Sequence, residues 1–145
     1  MRHLRASVVV WGALLVACQA DPKSPAGFRL PPGDPEKGRV AFSELRCHTC
    51  HRVYGGGFPE PTIEPPVPVL LGGPVPHVRT DGDLVTAIVN PSHRLAAGYK
   101  KDDVVRDGHT RMTDYTNTMT VAQLIDLVAF LQARYQVVRP GQRSD

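Results

Sequence analysis

Apolar residues follow three rhythms along this chain. The first is a continuous run from Val8 to Ala17, behind a basic start carrying Arg2 and Arg5. It is too short to anchor stably across a bilayer and reads as an export signal. The second is Gly38, Ala41, Phe42 and Leu45, spaced i, i+3, i+4, i+7, which places them on one helix face. Asp34 is a good N-cap for that helix, Pro35 suits its first position, and Glu36 favours the positive end of its dipole. The third is Leu124, Leu127, Val128, Leu131 and Tyr135, a stripe of helical period. It follows Thr120 and Gln123, which match a capping box. A shorter helix fits 81–90, with Leu84 and Ile88 on one face and Asn90-Pro91 as its stop. One more short helix is expected near 100–107, within an otherwise polar loop over 91–119. No strand pattern of any length is visible, and no internal repeat. The predicted fold is all-α, small and rich in loops.

Proline and glycine sharpen this picture. Residues 55–78 hold seven of the 14 prolines and five of the 13 glycines, a density that excludes a regular helix or a central strand. Residues 18–33 are rich in Pro, Gly and small side chains and read as a linker. The expected organisation is a signal over 1–17, a linker over 18–33, one domain over 34–137 and a polar tail over 138–145. A few helices with long loops bury little apolar surface, so another apolar body is expected at the centre. Gly38 inside the first helix costs about 1 kcal/mol relative to Ala, which close approach by a second helix would explain.

Charge excludes one class of partner. Without Arg2 and Arg5, 15 basic residues face 14 acidic ones, so the net charge of +3 falls to about +1. The basic balance lies largely in the signal and implies no nucleic-acid partner. The signal ends in Leu15-Val16-Ala17-Cys18, which resembles a bacterial lipobox. Cys18 would then be the lipidated first residue; the alternatives are a plain signal peptide cut at another small-residue site, or a buried apolar helix.

The remaining cysteines lie in Cys47-His48-Thr49-Cys50-His51. Four chemistries use such a pair: a redox dithiol, half of a zinc site, a structural disulfide, or a covalent haem anchor. A disulfide across so short a loop would stabilise little. A thioredoxin-like dithiol needs a strand–helix setting that is not visible. Zinc would need a fourth ligand from His77, His93 or His109, and adjacent Cys50 and His51 point in different directions. C-x-x-C-H is the attachment pattern of c-type haem, with two thioethers and an axial histidine, and attachment outside the cytoplasm agrees with the export signal.

Gly33 to His51 resembles the N-terminal helix and haem motif of the class I cytochromes c, and Met112 to Leu131 resembles their distal-methionine loop and C-terminal helix. The resemblance covers about residues 33–136. It implies one covalent haem c held by Cys47 and Cys50, with His51 and Met112 as the iron ligands. It also implies crossed terminal helices, for which Gly38 and Phe42 against Leu127, Phe130 and Leu131 are the candidates. Met112 sits in a polar loop without apolar neighbours, whereas Met119 stands at N′ opposite Leu124 at N4, the two positions of a hydrophobic staple. His93 and His109 are the rival sixth ligands. Pro68, in a segment resembling the family's G-P-x-L turn, would accept the Nδ1–H of His51, although Val67 stands where that turn has glycine. Thr113 replaces the proline that usually follows the methionine. Tyr99, Arg94 and Arg79 are candidates to hold a haem propionate, and Lys100 to Asp103 read as a solvated face.

The function implied is single-electron transfer, without enzymatic activity or a small-molecule substrate. The carrier would be lipid-anchored on the periplasmic side of a bacterial membrane, with redox proteins as partners. The alternatives are a haem subunit of a larger oxidoreductase acting on sulfur or nitrogen compounds or feeding an oxidase, and an open-site haem sensor or enzyme.

Overall fold

The computed structural model describes residues 28–62 and 68–138. The export signal, Cys18 and most of the linker and C-terminal tail lie outside the described residues. Four helices form the frame: α1 (Pro35–Glu44), α2 (Asp81–Val89), α3 (Lys101–Val104) and α4 (Val121–Gln132).

The start of α1 follows its chemistry. The Asp34 carboxylate accepts from the amides of Glu36 (2.9 Å) and Lys37 (3.2 Å), with Pro35 at the first position, where no donor is needed. The reciprocal capping box of Thr120 and Gln123 opens α4, at 3.0 and 3.1 Å. Met119, just before it, and Leu124 both pack against the core, at the two positions of a hydrophobic staple. Thr80 and Asp83 build a second capping box on α2, one residue before the expected start.

The terminal helices α1 and α4 cross, and Gly38 shows how closely. A Cβ there would overlap the Asp126 carbonyl and come within 2.7 Å of the Phe130 Cβ. The helix-propensity loss at Gly38 is therefore the condition for contact between the two backbones. The Asp34 amide donates to the Asp126 carboxylate across the crossing at 2.8 Å. Ala41 and Phe42 then meet Leu127, Val128, Phe130 and Leu131, all buried. Phe42 lies 5.0 Å from Phe58 and 5.7 Å from Phe130, ring centre to ring centre. Fully burying a ring such as Phe130 contributes roughly 1.5–3 kcal/mol relative to exposure. From α2, Leu84 and Ile88 complete the core. The Gln132 amide holds α2 to α4 through the Arg79 carbonyl (2.6 Å) and the Asp81 carboxylate (3.1 Å).

The all-α expectation needs correction. Among the described residues six short strands form three pairs: β1 (His51–Val53) with β2 (Val69–Leu71) in parallel, β3 (Gly73–Val75) with β6 (Tyr135–Val137) in parallel, and β4 (Val105–Arg106) with β5 (His109–Thr110) antiparallel. None exceeds three residues, so none is long enough to show alternation. Two lie inside the Pro/Gly-rich segment, where edge pairing tolerates proline that a central strand would not. The helix expected near 100–107 is a single turn followed by the β4–β5 hairpin. Its turn is Asp107-Gly108, both with positive φ (52° and 82°), as a type I′ turn demands.

Candidate functional site

Beyond α1 the chain tightens. Arg46 takes a left-handed conformation (φ 58°), and Cys47–Thr49 form one turn of 3-10 helix. That turn separates the two histidines of the motif. His48 is directed onto Phe58, ring centres 6.0 Å apart and nearly parallel at 14°. His51, the first residue of β1, instead lines a cavity.

This cavity is where the chemistry of the sequence converges. A space of about 300 Å³ is bordered by Cys47, Cys50, His51 and Met112, with Leu45, Thr113 and Tyr115 among its walls. A smaller pocket of about 40 Å³ shares Cys47, His51, Met112 and Tyr115 and reaches inward to Phe42, Ile88 and Leu131. The inner wall is almost wholly apolar, so it suits a flat apolar body better than a hydrated ion. Among the described residues no cluster of three or more His, Cys, Asp and Glu could hold a metal ion by itself. His77, His93 and His109 are exposed and do not border the cavity.

Met112 arrives there through the hairpin. The Arg111 amide bonds to the Val104 carbonyl at 2.9 Å, one step beyond the β4–β5 pair, and Met112 follows. The Met112 amide donates to the Thr110 hydroxyl (3.3 Å), and the Thr110 amide to the Ser92 hydroxyl (3.2 Å). Neither Ser92 nor the hairpin was singled out from the sequence, although Asp-Gly is a hairpin signal.

The expected partner of His51 is displaced by one residue. Its Nδ1 faces the carbonyl of Val69 at 3.3 Å, not that of Pro68. In the β1–β2 register His51 is opposite Val69. The Pro68 carbonyl accepts instead from the Tyr99 hydroxyl (3.4 Å), whose oxygen in turn accepts from the Leu70 amide (3.1 Å). Tyr99 thus braces the segment on both sides of Val69. A carbonyl only accepts, so Nδ1 carries the proton and Nε2 keeps its lone pair. Enclosure lowers the pKa of His51, opposed by the bond to Val69, which favours the neutral ring that a metal ligand must be. Arg94 is drawn toward Asp83 at 3.7 Å, and the backbone carbonyl of Arg79 serves Gln132.

Burial pushes the Cys47 thiol up to about 11, whereas Cys50 is exposed. No disulfide joins them. The donor set fits a haem. Cys47 and Cys50 would hold it through thioethers, His51 would present Nε2 to the iron, and the apolar wall from Phe42 to Leu131 would cover the porphyrin.

The comparisons agree. The family model described as cytochrome c matches residues 35–134, from the first residue of α1 to just short of β6. No curated relative and no solved structure matches the chain. The match spans more than half of the 145 residues, so the chain belongs to the cytochrome c family, whose cofactor is a covalent c-type haem and whose chemistry is electron transfer.

Proposed function

We propose that the protein is a single-electron carrier in which His51 and Met112 are the two axial ligands. One observation carries this reading: His51 and Met112 border the same cavity as both cysteines, while His93 and His109 do not. When bound, the haem supplies a reversible one-electron couple between ferrous and ferric iron. His51 offers a neutral nitrogen whose orientation the Val69 carbonyl fixes. Met112 offers a soft thioether, which favours the ferrous state and raises the potential relative to two nitrogen ligands. With both axial positions taken by side chains, none is left for a substrate, and the protein acts as a carrier rather than an enzyme.

Its place is outside the cytoplasm. The basic start, the apolar run to Ala17 and Cys18 support export followed by lipidation. Among the described residues no helix is long and apolar enough to cross a membrane. A lipid on Cys18 with a linker to Gly33 would hold the domain beside membrane-bound redox partners and raise its effective concentration there.

The test is the absorption spectrum of the purified holoprotein. A sharp c-type reduced band, with the weak far-red ferric band of iron–methionine sulfur bonding, is expected. A c-type spectrum without the far-red band would remove Met112 from the iron. For the anchor, Cys18→Ala should shift the protein from the membrane to the soluble fraction; continued sedimentation with membranes would defeat that part.

A further inference from the structure

Tyr115 lies three residues beyond Met112, and its side chain reaches outside the loop. Its hydroxyl donates to the Leu45 carbonyl at 2.7 Å, across 70 positions of sequence. Leu45 is the C-cap of α1, where helix geometry leaves carbonyls without intrahelical partners. The Tyr115 carbonyl accepts from the Met119 amide at 2.9 Å, just before α4 begins. Its ring borders the cavity beside Cys47 and Met112. One residue therefore joins the methionine loop, the end of α1 that leads into the cysteine motif, and the start of α4.

We infer that Tyr115 is a positioning residue for the sixth ligand: its hydroxyl latches the 112–118 loop to the end of α1 and so holds the Met112 sulfur over the iron. The inference rests on the reading of Met112 as ligand. The proline usual after the methionine is Thr113 here, so the backbone itself restrains the loop less. The Asp114 carboxylate closes only a local turn onto Thr116, at 2.9 and 2.7 Å. Among the described residues, the latch to Leu45 ties the loop to the opposite wall, and the same hydroxyl meets the Cys47 thiol.

The experiment is titration of ferric holoprotein with imidazole, which binds only when Met112 has left the iron. Its apparent affinity thus reports the open fraction. Tyr115→Phe should raise that affinity about fivefold, the factor one neutral hydrogen bond carries, and weaken the far-red band while covalent haem is retained. Affinity and band equal to wild type would overturn the latch and leave Met112 in place as ligand. A wild-type protein without the far-red band would fail the Met112 reading, and the latch with it. If the variant does not accumulate, the Tyr115 hydroxyl proton of the native protein is read by NMR. Protection from solvent exchange is expected; exchange as fast as a free phenol would overturn the inference.

Discussion

The two side chains that meet at the cavity are held by different means. His51 opens a strand whose partner strand supplies the acceptor for its ring, so one pairing fixes both the backbone and the imidazole. Met112 follows a hairpin with a two-residue turn and enters a stretch without regular structure, where its amide donates to the Thr110 hydroxyl and the Tyr115 hydroxyl donates to the Leu45 carbonyl. A ladder survives the loss of most single side chains, because backbone groups make it. A loop tied by side chains can lose a tie to one substitution. The histidine side is built to stay and the methionine side to yield.

The sharpest break of this contrast is removal of each proposed ligand in turn. His51→Ala should leave no holoprotein to collect, because the ring that β1 presents is also part of the attachment motif. Met112→Ala should keep covalent haem on a denaturing gel, lose the far-red band and bind carbon monoxide in the ferrous form. Equal loss of haem from both variants would abolish the distinction. A smaller effect is expected at Tyr99, which serves the histidine side. Tyr99→Phe leaves the Leu70 amide without its acceptor and should lower stability by about 1 kcal/mol in denaturant melts. The far-red band should not change, in contrast to Tyr115→Phe; loss of the band would mean that the two sides are coupled. The smallest effect belongs to neither side. The backbone amide and hydroxyl of Thr80 hold the Asp83 carboxyl below the usual carboxylate range. Its folded pKa lies below the unfolded value near 3.9, so its stabilisation is present above that value and fades as pH falls through the folded pKa. Asp83→Asn should therefore flatten slightly the acid limb of melting temperature against pH, and leave the spectrum unchanged. An identical acid limb would show that this cap is energetically silent.

The frame was legible because its determinants are local. Asp34 with Pro35, and Thr120 with Gln123, announce two helix starts within four residues each, and Gly38 announces the crossing by being a poor helix former. The cysteine motif named its own chemistry. What escaped is non-local or very short. Val69–Leu71 pairs with His51–Val53, and Gly73–Val75 with Tyr135–Val137, in parallel, so that no tight turn between the partners announces the pairing. Strands of three residues leave no periodicity to detect. The step from Pro68 to Val69 as acceptor follows from the same cause, since register decides which carbonyl meets the ring and proline content does not. The Asp107-Gly108 turn carries a hairpin signal, but strands of two residues on either side leave no alternation to support it.

The crossing at Gly38 also bears on when the molecule takes shape. The bond from the Asp34 amide to the Asp126 carboxylate links residues 92 positions apart, nearly the full length of the domain. Contacts of that separation form slowly, because almost the whole chain must be present and its loop entropy surrendered before they return anything. Cys47 and Cys50 precede α4 in the chain, so both are made while α1 still lacks its partner. Covalent attachment thus has an interval in which both thiols are open to the solvent. Closure by the last helix then ends that interval for Cys47, which packs against the core, while Cys50 stays exposed.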